Sequence, residues 1–193
     1  MRLVLASRNA HKARELEALM EGIELDPLPA GVELPRETGT TYAENALGKA
    51  RAAATAVGRP AIGDDSGIEA AALGGRPGVR SARFAGNGAT DAENLALLVA
   101  RAPPGSGLRY VCALSYVDPA TGVEHLVEGT CDGTVAPVPR GEGGFGYDPA
   151  FVPDDLADGR TMAELAPAEK AAIGHRGRAA RALASRLATV QPN

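Results

Sequence analysis

Cysteine is nearly absent: Cys112 and Cys131 are the only two, in strand-like apolar surroundings. Neither a CxxC spacing nor a Cys/His pairing occurs to suggest zinc or a dithiol redox couple, and both side chains read as plain buried thiols. Long apolar runs are missing as well. Nothing approaches the roughly 20 consecutive apolar residues of a membrane span, and Leu3 to Ala6 is too short for a secretory signal, so a cytoplasmic protein is expected. Excess positive charge is also lacking: at a formal net charge of −4 the chain has no general attraction for polyanions, and any phosphate binding must be local. Lysine is scarce too. Of 20 Lys and Arg residues, only Lys12, Lys49 and Lys170 are lysine. Where solvated charge alone was needed the chain used arginine, so the three lysines either mark places where a compact charge on a flexible stem is useful, as in holding phosphate, or fall there by chance under a composition bias.

What remains is an ordinary globular composition, 193 residues with 45% hydrophobic and 23% charged. That is enough for a core and for one domain, residues 1–193, compact or in two closely joined lobes. Leu3 to Ala6 reads as a buried strand, followed by the polar loop Ser7-Arg8-Asn9 and a helix over about Ala10 to Met20. Thr41-Tyr42-Ala43-Glu44 fits a capping box opening an alanine-rich helix that runs to about Val57 and stops at Gly58 and Pro60. Pro60 to Ile62 is a short strand running into Gly63-Asp64-Asp65-Ser66-Gly67. Thr90-Asp91-Ala92-Glu93 caps a helix ending before Pro103. Arg109 to Val117 and Val123 to Thr130 read as a β-hairpin, Gly141 to Pro149 as a glycine-rich loop, and Pro167 to about Thr189 as helix interrupted at Gly174-His175-Arg176-Gly177.

Four segments have the residue types for phosphate chemistry. Ser7-Arg8-Asn9-Ala10-His11-Lys12 lies where a strand meets a helix, so its N–H groups and the positive helix end would face an anion; an ordinary capped start with a solvated lysine is the plainer alternative. Asp64 and Asp65, with Glu37 and Glu44, supply oxygen ligands for a hard cation such as magnesium, or else form an acidic turn after a strand. If the segment is extended, adjacent side chains point to opposite faces, and only one of the two aspartates faces the site. Tyr42, Asn45 and Lys49 share one helix face beside an apolar stripe of Ala43, Leu47, Ala50 and Val57, while Glu44 is read as the capping partner of Thr41. Gly141 to Gly146 matches GxGxxG, but Tyr147-Asp148-Pro149 and Pro153 follow where a dinucleotide fold needs a helix. The loop is either a turn with a core aromatic or a close approach to a flat ligand, with Phe145 or Tyr147 available to stack on a base.

Five segments, in order, resemble the inosine/xanthosine triphosphate pyrophosphatase family: ASRNAHKARELEALM, ETGTTYAENALGKA, GDDSGIEAAALGGRPGVRSARFAG, GGFGYDPAFVP and AELAPAEKAAIGHRGRAARAL. The resemblance implies an α/β fold with a mixed, strongly twisted central sheet flanked by helices, two lobes around a substrate cleft, and a homodimer. It implies hydrolysis of ITP, dITP and XTP to the monophosphate and pyrophosphate with Mg²⁺, keeping these nucleotides out of nucleic acids. Ser7, Arg8, Asn9, Ala10, His11 and Lys12 would hold the triphosphate, with Lys49 adding a contact. Asp65 would be the proton acceptor and, with Glu37, a metal ligand. Ser66 would touch substrate, Phe145, Gly146, Tyr147 and Asp148 would bind the nucleoside, and Lys170, His175 and Arg176 would complete the pocket. Gly174 departs from the serine frequent there in the family, which puts in doubt any contact through that hydroxyl. Competing readings are a more general nucleotide phosphatase, told apart by its product, and a nucleotide-binding regulatory module without turnover.

Overall fold

The computed structural model describes residues 1–189. Six strands, β1 (Arg2–Ala6), β2 (Glu24–Pro27), β3 (Ala61–Ala70), β4 (Gly107–Val117), β5 (Glu124–Val135) and β6 (Phe151–Pro153), form one sheet in the order β2-β1-β3-β4-β5-β6. β1 runs parallel to both β2 and β3, whereas β6 is antiparallel to β5, so the sheet is mixed. The helices are α1 (Ala10–Leu19), α2 (Tyr42–Val57), α3 (Asp91–Arg101), α4 (Pro167–Ile173) and α5 (His175–Ala188). Among the described residues no helix is long and apolar enough to cross a membrane.

Local sequence explains the boundaries. Thr41 and Glu44 make the reciprocal bonds of a capping box at the start of α2, and Gly58, left-handed at φ 64°, ends it. Thr90 and Glu93 do the same for α3. The β4–β5 hairpin is closed by the Asp118 N–H donating to the Val123 carbonyl, and β5 continues to Val135, past the expected end at Thr130. β2 and β6, four and three residues long, carry too little pattern to read from sequence. Gly63 to Gly67 lies inside a ten-residue strand rather than in an acidic turn. The C-terminal interruption is Gly174 alone, since His175, Arg176 and Gly177 already belong to α5. A Cβ at Gly174 would sit 2.6 Å from the Lys170 carbonyl oxygen, so even a serine there needs the backbone to shift.

The chain divides into two compact units. The first comprises Met1–Asp65, Cys112–Gly129 and the chain from Arg176 onward. In it, β1 alternates strictly: Leu3 and Leu5 join Ile62, Leu16, Met20, Leu183 and Leu187 in one apolar cluster, while Val4 and Ala6 join Ala61, Ala50, Ala53 and Ala54 in another. One sheet face therefore carries α1 and α5 and the other carries α2. The buried stripe of α2 is Ala46, Ala50, Ala53 and Ala54; Ala43, Leu47 and Val57, expected in that stripe, are only half-buried. Alanine suits this face because α2 lies close against β3. A Cβ at Gly63 would collide with the Ala46 carbonyl and come within 2.9 Å of both the Ala50 nitrogen and the Ser115 hydroxyl.

The second unit comprises Ser66–Val111 and Thr130–His175. Its core joins Ile68, Leu108, Val135 and Phe151 of the strands to Leu98 and Ala102 and to Met162 and Leu165. The Tyr110 ring stacks between Phe151 and His175, both centroids 4.5 Å away.

The close approach of α2 is testable with two glycines. Gly63→Ala is expected to destabilise the protein by at least about 1–3 kcal/mol through overpacking. Gly48→Ala, on α2 with nothing within 4 Å of the added methyl, is expected to stabilise it by about 0.5–1 kcal/mol. Urea denaturation of both variants measures the contrast.

Candidate active site

The parity of β3 fixes where its carboxylates go. Ala61 and Gly63 face α2 and Ile62 faces α1 and α5, so Asp64 falls on the α1/α5 side and Asp65 on the α2 side. Their partners follow. Asp65 accepts from Asn45 Nδ2 at 3.0 Å and Lys49 Nζ at 3.3 Å, both on α2. Asp64 pairs with Lys12 of α1 through Oδ1, and through Oδ2 accepts from Arg176 Nε of α5 at 3.4 Å and from the Cys112 thiol at 3.3 Å. The two aspartates thus face opposite sides of the sheet and bond to different side chains.

Their electrostatics also diverge. Burial alone would raise the pKa of Asp64, but the charges of Lys12 and Arg176 outweigh it and hold the carboxyl well below the usual range. For Asp65 burial prevails over Lys49 and Asn45, and its pKa is raised. Neighbouring carboxylates pushed in opposite directions are the arrangement in which one is a fixed charge and the other can take up a proton. Burial acts to lower the pKa of Lys49 as well, but Asp65 and Glu37 more than offset it, and the ammonium is held above its ordinary value. Burial keeps Cys112 a protonated thiol, able to donate to Asp64 but inert as a nucleophile.

Glu37 joins the Asp65 group through Lys49, whose Nζ donates to Glu37 Oε1 at 2.7 Å. Two carboxylates converging on one cation form a hard-oxygen donor pair that suits Mg²⁺, which binds through one or two carboxylates and takes its other ligands from water and substrate phosphates. Among the described residues no group of three or more His, Cys, Asp or Glu is placed to hold a metal, so an ion here would lean on Glu37 and Asp65. Glu44 is exposed and occupied in capping, accepting from the Thr40 and Thr41 N–H groups.

The Ser7 to Lys12 segment differs from the expected open row of donors. Asn9 Oδ1 accepts from the N–H groups of His11 and Lys12, and Ser7 Oγ accepts from the Asn9 N–H. These three donors are satisfied internally, as in an ordinary helix cap. Lys12, however, is not solvated: its side chain is 14% exposed and ends on Asp64. Arg8 Nη2 donates to the carbonyls of Pro29, Ala30 and Val32, tying down that loop. Ala10 and His11 lie exposed on the first turn of α1, and Ser66 is half-buried on β3.

The second unit gathers a separate group. Asp148, buried, accepts from Lys170 Nζ at 2.7 Å, from the Phe145 N–H at 2.9 Å and from the Tyr110 hydroxyl at 3.1 Å. Lys170 Nζ also stands 5.1 Å from the centre of the half-buried Phe145 ring, and the Gly146 N–H donates to Asp91 at the start of α3. Tyr147 is not available for stacking on a ligand. It is buried, its hydroxyl donates to the Ser81 carbonyl at 2.7 Å, and burial raises its pKa. Phe145 remains the stacking candidate.

Each lysine thus ends on an aspartate: Lys12 on Asp64, Lys49 on Asp65 and Lys170 on Asp148. Asn45, already placed beside Lys49 by helix spacing, is a partner of Asp65; Glu15, Asp91 and Tyr110 were missed as partners of site residues, because only the fold brings them to Arg176, Gly146 and Asp148.

Residues 3–186 match the Ham1 family, and the chain belongs to it. It is 50% identical over 205 residues to the dITP/XTP pyrophosphatase of Frankia alni, with 98% of each chain covered. It is 48% identical over 186 residues to the dITP/XTP pyrophosphatase of Geobacillus kaustophilus, covering 92% of this chain and 89% of that one. Among solved structures, a HAM1 protein from Coxiella burnetii superposes with a TM-score of 0.86 at 39% identity, over 98% of this chain and 100% of the other.

Asp148→Ala removes the acceptor on which Tyr110, Phe145 and Lys170 converge. A loss of about 2 kcal/mol is expected, of the order of a lost buried hydrogen-bond group, and thermal or chemical denaturation would register it.

Proposed function

We propose that this chain hydrolyses the triphosphates of non-standard purine nucleosides, ITP, dITP and XTP, to the monophosphate and pyrophosphate, and so keeps them out of nucleic acids. The observation that carries the reading is the Glu37–Lys49–Asp65 group, a buried carboxylate of raised pKa beside a second carboxylate and a lysine. The pyrophosphatases of Frankia alni and Geobacillus kaustophilus, matched over nearly their whole length, support it.

In this reading Asp65 accepts the proton of a water that attacks the α-phosphorus, and its raised pKa makes it a better base than Asp64. Lys12 and Lys49 stabilise charge on the phosphate oxygens as it shifts towards the leaving pyrophosphate, and Arg176 adds positive potential from beside Lys12. Glu37 and Asp65 would hold Mg²⁺, which would neutralise phosphate charge and help orient the reacting groups. Ser7 to Lys12 and Ser66 contact the substrate. Phe145 stacks on the base, with Gly146, Asp148, Lys170 and His175 completing its surroundings. Donors turned towards the 6-oxo group of hypoxanthine or xanthine meet a 6-amino donor in adenine, and a buried donor left unpaired discriminates by orders of magnitude. The resemblance to the family further supports a cytoplasmic homodimer.

Incubation with dITP, XTP and ATP in the presence of Mg²⁺, with product identification, is expected to give pyrophosphate from the first two and little turnover of ATP. Orthophosphate as product, or equal use of ATP, contradicts the reading. Asp65→Asn is expected to lower kcat by about 10²–10⁴, the range supplied by general-base catalysis; near-normal turnover at saturating Mg²⁺ contradicts its role.

A further inference from the structure

Asp64 takes no part in the chemistry described above, yet it is the most enclosed charged side chain of the first unit, with 0% of its side chain exposed. Its three donors come from three different elements: Lys12 from α1, Cys112 from β4 and Arg176 from α5. Arg176 is held from its other side by Glu15 of α1, Nη1 to Oε2 at 2.5 Å. Stability alone is a poor reason for such a cluster, because a buried ion pair is commonly no better for the fold than apolar side chains of similar volume. Lysine is also a flexible stem that loses much rotamer freedom when its end is fixed. An ammonium has three N–H donors, so pairing with Asp64 leaves Lys12, still partly exposed, capacity to bind phosphate oxygens.

We propose that Asp64 is the positioning residue of the phosphate-binding end: from the face of β3 opposite Asp65, it holds the Lys12 ammonium and the Arg176 guanidinium in place before a triphosphate arrives. The inference rests on the function proposed above and adds a division of labour, with Asp65 acting on the substrate and Asp64 acting only through the cations. Cys112 completes the arrangement as a neutral donor that fills the remaining side of the carboxylate without adding charge.

The test is a double-mutant cycle on the full chain with dITP and Mg²⁺, using Asp64→Asn, Lys12→Met and the pair. Misplacing a charge-stabilising group by about 1 Å costs on the order of 10²-fold. Asp64→Asn is therefore expected to lower kcat by about 10–100-fold while KM moves less than about threefold, since ground-state contacts to the rest of the nucleotide remain. In the Lys12→Met background the same substitution is expected to cost less than about threefold, because residues acting as one unit are strongly non-additive. A merely structural Asp64 predicts the opposite: a lowered melting temperature with kcat per folded molecule unchanged, or a full multiplicative loss in the Lys12→Met background. Either result overturns the proposal. If Asp64→Asn does not fold, Glu15→Gln reports instead, because Glu15 is partly exposed and reaches the same cluster through Arg176. A fall in kcat with folding intact supports the proposal, and an unchanged kcat counts against it. A wild-type chain that releases no pyrophosphate from dITP defeats the function itself and takes this inference with it, whereas an active wild type with an equally active Asp64→Asn defeats the inference alone.

Discussion

The pleat of β3 is the constraint on which the first unit depends. Because successive residues of an extended strand point to opposite faces, and because α2 covers one face while α1 and α5 cover the other, Asp64 and Asp65 are delivered into different surroundings by a single peptide step. One meets two cations and a thiol; the other meets an amide, a lysine and, through that lysine, Glu37. A slip of one residue in β3 would exchange the two roles, and Gly63 guards against it, since any side chain placed there would strike α2.

Burial then decides the chemistry of each partner. A carboxylate withdrawn from water must be paired or protonated, and the scarcity of lysine shows where the chain meets that demand: Lys12, Lys49 and Lys170 each close on an aspartate. The arginines are used more broadly. Arg51 with Glu124 and Arg160 with Asp158 and Glu169 form exposed pairs, Arg8 ties a loop by its carbonyls, and Arg176 alone is both buried and bound to two carboxylates. The lysine charges are balanced inside the protein, and the positions of the three ammonium groups are set by aspartates rather than by solvent.

Much of this was legible in the sequence where local rules operate. The capping boxes at Thr41 and Thr90, the left-handed stop at Gly58 and the hairpin turn at Asp118 to Val123 are written in adjacent residues and were readable as such. The opposite facing of Asp64 and Asp65 was legible too, conditional on the segment being extended. The condition itself was not, because Gly-Asp-Asp-Ser-Gly has the composition of a turn and is held as strand only by its neighbours in the sheet. The same tertiary override places Tyr147 in the core, whereas the His11 and Lys12 N–H groups go to Asn9 by a local helix cap, the plainer alternative in the sequence. The partners of Asp64 were not legible, because Lys12 and Arg176 lie 52 and 112 residues away along the chain, beyond the reach of any periodicity.

The divergence of the two aspartates is open to direct observation. In metal-free protein carrying ¹³C-labelled aspartate, the side-chain carboxyl resonances of Asp64 and Asp65 can be followed as the pH is lowered. Asp65 is expected to protonate above the ordinary aspartate value of about 3.9, while Asp64 stays ionised well below it for as long as the protein remains folded. Two carboxyls titrating together near that ordinary value would contradict the account, because they would then share one environment and could not divide the work between them.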